Sequence, residues 1–361
     1  MIAILTSGFG LGVHVPGLLL DRRLAELGVR SRVDVLERYW PPERRSGVAA
    51  SKRAYQRDFR MARLGQRLFR SLDDAFDDAA LDALTASWRE EGVERFVVFS
   101  GFWLPVVDRY LAGTGAADIR VDTCHVDAIP SPSFARQAES MARHRTVWLV
   151  ESGSGTIPWQ IRPSTEPIVP WADREERFLA HGGGWGMGTY LEYAAKMAAK
   201  DMPLDVVVRS PDDITALRET AGLDARSRFF MMDPEWSPWQ DTGFPPFGEV
   251  VDGAPPAYRR WEPHHEALLL TRKAVGVVSK PGGGTLVDAF GSATPLVFVD
   301  SFGEHEQHNA RVWEDLGFGI SFTAWEDSGF SIGLLEDMHR RILGHQSVPA
   351  DYAAELAALV R

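Results

Sequence analysis

The chain has 361 residues, more than one ordinary hydrophobic core holds and enough for two domains. Its 45% hydrophobic and 25% charged content is that of a globular protein, and no apolar run approaches the roughly 20 residues that span a bilayer. With 50 acidic against 39 basic side chains the formal charge is -11, so the chain as a whole is not drawn to nucleic acid. A single cysteine, Cys124, excludes an internal disulfide framework and a cysteine-built zinc site. The first residues, Met1-Ile2-Ala3-Ile4-Leu5, run into a glycine-rich turn and lack the marks of a signal peptide. A reducing cytoplasm is the expected compartment.

In chain order, an apolar strand over 2–6 ends in Ser7-Gly8-Phe9-Gly10-Leu11-Gly12, and a helical pattern follows from His14 to about Leu27. A second strand reads over 32–36. Helical stretches at 50–70 and 72–90 come next, then a strand at 95–100, a helix at 104–111 and strands at 119–123 and 146–150. A proline-rich segment follows with little periodicity. After it the alternation restarts: strand 177–180, glycine turn 182–188, helix 189–199, then strands 205–209, 229–232 and 275–279. A helix begins at 285, and a last strand reads over 295–299. Strands alternating with helices imply βαβ units and parallel sheets. The expected architecture is two doubly wound, Rossmann-like α/β domains facing a cleft. They cover 1–160 and 177–361, with a linker over 161–176 and a last helix able to cross back. The proline- and tryptophan-rich stretch 233–265 reads as a long irregular excursion of the second domain.

Arginines 53, 57, 60, 63, 67 and 70 recur at helical spacing with apolar residues between them. Such a stretch is either a solvated helix face that buries its arginine stems or a surface for an anionic membrane or substrate.

The strongest chemical signal is Ser279-Lys280-Pro281-Gly282-Gly283-Gly284-Thr285, which follows a strand and opens a helix. Glycines let backbone N–H groups approach an anion, a helix N-terminus adds a positive dipole end, and Lys280 adds a charge. The spacing is neither a Walker A loop nor G-x-G-x-x-G; a tight βα turn is the competing reading. Asp288, one turn further on, is placed to accept ribose hydroxyls. Beyond the next strand, Ser301-Phe302-Gly303-Glu304-His305-Glu306-Gln307-His308-Asn309-Ala310 packs donors and acceptors that suit a polyhydroxylated ligand. Asp212-Asp213 and His264-His265 do not have the spacing of a metal site, and no metal or cofactor is expected.

The stretch 274–319 resembles the C-terminal signature of nucleotide-sugar glycosyltransferases of the GT-B type. It is closest to the bacterial muropeptide N-acetylglucosaminyltransferase and galactolipid synthase group, with kinship to the broader UDP-glycosyltransferases. That signature has a glycine-rich segment, a helix with an acidic residue and a proline seven residues later. A strand, a Gln-x-x-Asn-Ala segment and a Gly-x-Gly complete it. Here these are Gly282, Gly283 and Gly284, Asp288, Pro295, Gln307 with Asn309-Ala310, and Gly317-Phe318-Gly319. The family's acid is usually Glu, and its glutamine stands three before the asparagine, where this chain has Glu306; Glu306 and Gln307 are both candidates for the sugar contacts.

The resemblance implies further roles. The loop ending in His14 is similar to the family's first glycine loop, which ends in a histidine at a helix start. His181-Gly182-Gly183-Gly184 sits where the family meets the donor phosphates, and the stretch holding Trp261 and His264 sits where it reads the uracil ring. His14, with a pKa lowered by its helix start, suits a general base at neutral pH. Asp122 and Asp127 orient it or replace it, and a capping or packing histidine is the alternative. The implied activity is inverting, metal-independent transfer from a UDP-sugar, or another nucleotide diphosphate sugar, to a small-molecule acceptor, in specialised metabolism. Twelve tryptophans, several near strand ends, fit a planar acceptor. A non-hydrolysing sugar-nucleotide epimerase and a catalytically inactive partner protein are the alternatives.

Overall fold

A computed structural model describes residues 1–68, 76–114, 118–221, 223 and 226–360, with the backbone alone for 65–68. The chain opens with β1 (Ile2–Thr6), α1 (Leu11–Glu26) and β2 (Ser31–Val35). Helices α2 (Pro42–Arg57), α3 (Phe59–Leu68) and α4 (Asp78–Glu90) lead to β3 (Arg95–Val98). Helix α5 (Leu104–Thr114) leads to β4 (Arg120–His125). Two single turns, α6 (Pro132–Ala135) and α7 (Ala138–Met141), lead to β5 (Arg145–Trp148). The five strands form one parallel sheet in the order β2-β1-β3-β4-β5. Every residue of β1 is buried, as a central parallel strand covered on both faces requires.

After a short β6 (Trp159–Gln160), the second half runs β7 (Glu175–Ala180), α8 (Tyr190–Ala198), β8 (Leu204–Val208), α9 (Pro211–Ala221), β9 (Ser227–Met232) and β10 (Phe247–Val250). It continues with α10 (Ala267–Lys273), β11 (Ala274–Ser279), α11 (Gly283–Gly291), β12 (Leu296–Phe298), α12 (Glu304–Asp315) and β13 (Gly319–Ser321). The chain then runs through α13 (Phe322–Asp327), α14 (Ile332–His345), β14 (Ala350–Asp351) and α15 (Tyr352–Leu359). The second sheet has the order β10-β9-β8-β7-β11-β12-β13, parallel except for β10 at its edge. The strand order reverses between β7 and β11, and such switch points open a crevice at the strands' carboxyl ends. The first sheet reverses between β1 and β3. All three glycine-rich loops follow one of these switch-point strands.

Three elements depart from the sequence reading. The expected helix 50–70 is two, because Asp58 takes an extended conformation and accepts the Arg60 N–H at 2.8 Å to start the second. The side chains of Arg67 and Arg70 lie outside the described residues. The excursion 233–265 is not wholly irregular: β10 pairs back on β9, Phe247 opposite Met232. The polar stretch 301–310 is mostly helix, α12. The final helix α15 packs on the first half: Tyr352, Ala353 and Leu356 join its core, and the Tyr352 hydroxyl donates to Asp122 at 2.8 Å. Among the described residues no helix is long and apolar enough to cross a membrane.

Candidate functional site

Both halves line a cavity of about 1080 Å³ between the carboxyl ends of the two sheets. Its floor is made where glycine loops meet. Gly12 lies in the first turn of α1 and Gly284 in the first turn of α11; a Cβ on Gly284 would stand 3.1 Å from the Gly12 Cα. A Cβ on Gly184 would overlap the Leu11 side chain, and one on Gly283 would stand 2.7 Å from the Val126 carbonyl oxygen. Glycine is therefore what lets the two halves touch here. Both helices begin at a glycine, Gly10 and Gly282, with no side-chain cap and no acid in the first turn. Their free N–H groups and positive dipole ends stay available to an anion.

The wall beside this floor carries paired polar groups. Lys280 Nζ donates to Glu306 Oε1 at 2.5 Å, and the Phe302 N–H donates to Glu306 Oε2 at 2.6 Å. Arg209 closes on Asp213 at 2.5 Å. His265 Nε2 stands 3.0 Å from Asp288 Oδ1. Burial lowers the pKa of His181 to about 4, so it is neutral, and its Nδ1 accepts the Gly183 N–H at 3.0 Å. Asn309 spans the two halves: its amide donates to Asp127 Oδ1 and to the Pro281 carbonyl, both at 2.8 Å, and its oxygen accepts the Ala128 N–H at 2.7 Å. Gly183, Gly184, Lys280, Gly282, Gly283, Gly284, Thr285, Asp288, Glu306 and Asp127 all line the cavity. Among the described residues, no three His, Cys, Asp or Glu side chains converge as a metal site.

His14 is fully buried, one turn into α1. Its Nδ1 lies 3.0 Å from Thr6 Oγ1, and that hydroxyl donates to the Asp34 carbonyl at 3.4 Å. With its proton so used, Thr6 accepts from Nδ1–H, which leaves the lone pair on Nε2. Nε2 is buried and has no hydrogen-bond partner among the described residues. The ring of Trp236, from the 233–246 loop of the second half, lies beside the imidazole at 6.3 Å between centroids. Burial pushes the His14 pKa down to about 3, keeping the ring neutral.

Four expectations are corrected. Asp122 is not in the cleft: it lies towards the amino end of β4, where Arg95 at 3.2 Å, Arg145 and the Tyr352 hydroxyl neutralise it. Trp261 is 47% exposed and off the cavity wall. His264 is buried beside it, its Nδ1 engaged with the His265 carbonyl at 3.0 Å, and the cavity is lined instead by His265 and Glu266. Gln307 points to solvent from α12, because the residue facing the cleft one step earlier is Glu306. His125 is packed between the rings of Phe134 and Trp148, at 4.1 and 4.2 Å, as a core aromatic. Sequence reasoning placed His181 and His265 within the stretches expected to meet the donor but gave neither a role of its own. It missed the pairing of Lys280 with Glu306, which lie 26 apart in sequence.

No family model matches the chain, and no curated protein matches it by sequence. Solved structures match it in fold along its whole length. MurG of Acinetobacter baumannii aligns with a TM-score of 0.55 at 12% identity, covering 99% of each chain. The glycosyltransferase VinC, solved with DTDP, aligns at 0.57 and 12% identity over 100% of this chain and 99% of its own. Os79 of O. sativa, solved with U2F and trichothecene, aligns at 0.60 and 14% identity over 100% of both. The chain therefore has the fold of these glycosyltransferases, the GT-B arrangement of two Rossmann-like domains.

Proposed function

We propose that the chain is an inverting glycosyltransferase that moves a sugar from a UDP-sugar, or another nucleotide diphosphate sugar, to a small-molecule acceptor without a divalent metal. The observation that carries this reading is the meeting of two uncapped helix N-termini, through Gly12 and Gly284, at the floor of the cleft. The donor diphosphate lies against these N–H groups, with Lys280 and the loop of Gly183 and Gly184 beside it. Asp288, with one oxygen held by His265, presents the other to the ribose. The neighbours solved with DTDP and U2F support a nucleotide as the ligand.

In the transfer step, Nε2 of His14 takes the proton from an acceptor hydroxyl. The oxygen attacks the anomeric carbon from the face opposite the diphosphate, and the nucleoside diphosphate leaves with the bonding pair. The helix N-termini stabilise the charge that develops on it. His14 is buried behind the cavity wall, so side chains there, Trp236 among them, must move aside for the acceptor to reach it. The reading is tested by melting the protein with UDP, dTDP and their sugars in excess EDTA. A stabilisation without metal is expected; one that appears only with magnesium or manganese overturns the metal-free reading, and none at all overturns the donor reading.

A further inference from the structure

We infer that Lys52, on α2 of the first half, is an anion-binding residue that reaches across the cleft to the diphosphate of the donor. The inference deepens the donor reading above and rests on it.

The first argument is charge. A nucleotide sugar brings two negative charges to the cleft. The cations of the second half that line the cavity, Lys280 and Arg209, are each neutralised by a carboxylate, Glu306 and Asp213. Helix N-termini add only about half a charge each. Among the described residues, the lining cations with no hydrogen bond or ion pair all belong to the first half: Lys52, Arg53, Arg57 and Arg136. Of these, Arg53, Arg57 and Arg136 are exposed, and Lys52 is half-buried. Burial lowers the Lys52 pKa, and no carboxylate is near enough to offset it. A desolvated ammonium without a counter-ion, facing a cavity, is the complement of an anionic ligand.

The second argument is position. One turn before Lys52, Val48 is buried in the core of the first half. One turn after it, Gln56 donates to the Trp185 carbonyl at 2.8 Å, inside the glycine turn of the second half. Arg209 donates back to the Gln56 carbonyl. Beyond Gln56, Phe59 of α3 approaches the same turn: a Cβ on Gly188 would stand 4.0 Å from Phe59 and 3.8 Å from the Lys280 chain. Residues 52 and 56 share a helix face. Lys52 therefore sits between the core of one half and the phosphate-side turn of the other. The acids left on the opposite wall, Asp212, Glu235 and Glu266, do not pair with it among the described residues.

The test titrates UDP and uridine into the full chain and into Lys52→Met and Lys52→Arg, at low and high salt. For Lys52→Met we expect UDP affinity about tenfold weaker, the loss of one charge-assisted hydrogen bond. Uridine affinity and melting temperature should be unchanged, the salt dependence shallower, and Lys52→Arg should recover most of the affinity. UDP binding within twofold of the parent in Lys52→Met overturns the inference, as does an equal loss for uridine. If Lys52→Met keeps UDP affinity and raises only the acceptor KM, the lysine serves the acceptor and the inference is wrong. A parent chain that binds no nucleotide overturns the donor reading and this inference together.

Discussion

Asn309 and Asp127 stand 182 positions apart in the chain and are joined by a 2.8 Å hydrogen bond across the cleft. Through the same side chain Asn309 holds the Ala128 N–H and the Pro281 carbonyl, so one amide fixes the loop before α11 against the first half. Removing it strands three buried polar groups, and each such group costs about 1–3 kcal/mol. Asn309→Ala should lower the midpoint of denaturant unfolding and weaken UDP binding together. A mutant with parental stability and affinity would show that the domains are held elsewhere.

The base is the second prediction. His14→Ala should lose about 10²–10⁴ in single-turnover rate, the usual contribution of a general base, while keeping donor affinity. Asp127→Asn keeps an acceptor for Asn309 and should keep most of the rate. Asp122→Asn should lower stability by loosening the Arg95 and Tyr352 contacts, with little effect on chemistry. If Asp127→Asn loses the rate and His14→Ala keeps it, the aspartate is the base.

Ribose recognition is the third. Asp288→Ala should weaken UDP binding by about 1–3 kcal/mol. His265→Ala, which frees the carboxylate without removing it, should cost less than Asp288→Ala in a titration of the two mutants. Equal losses would mean that the pair acts as one unit.

Acid sensitivity is the fourth. Burial lowers the pKa values of His14 and His125 to about 3 and of His181 to about 4. Their unfolded values lie near 6.5, that of a free imidazole. Between those values and 6.5 the unfolded chain binds more protons, so stability is full above pH 6.5 and falls as the pH drops. Each histidine contributes a slope of up to about 1.4 kcal/mol per pH unit. His125→Phe, which keeps a ring between Phe134 and Trp148, should flatten the decline of unfolding free energy between pH 6.5 and pH 4.5. An unchanged slope would show that the carboxylates dominate.

The parts of the fold legible in the sequence were those written locally. The run Ile2 to Thr6 followed by glycines, and the run to Ser279 followed by Gly282, announce strand, turn and helix within a dozen residues. Helix breaks such as Asp58 were less visible, because arginine spacing on either side continues one period across them. The edge strand Phe247–Val250 was hidden in proline-rich surroundings, since its partner on β9 lies beyond the reach of a local pattern. The glycine loops and Asp288 were legible as local stretches, but the meeting of Gly12 with Gly284 that makes the floor was not. The choice between Glu306 and Gln307 could not, because one helical step decides which faces the cleft, and that depends on where α12 starts. His265 and Lys52 acquire their meaning only from elements far away in sequence, the helix of Asp288 and the turn of Trp185.

The burial of His14, with Trp236 beside its ring, has a consequence for the fate of the proposed donor. If His14 is the base, as proposed, it is sealed from solvent and cannot draw a proton from water. A donor bound alone therefore meets a cleft in which hydrolysis has no assistance. Only a molecule able to push the indole aside exposes the imidazole, and that molecule then occupies the space a water would need. On the proposed reading, the wall that buries the imidazole thus separates transfer to an acceptor from wasteful cleavage of the sugar nucleotide.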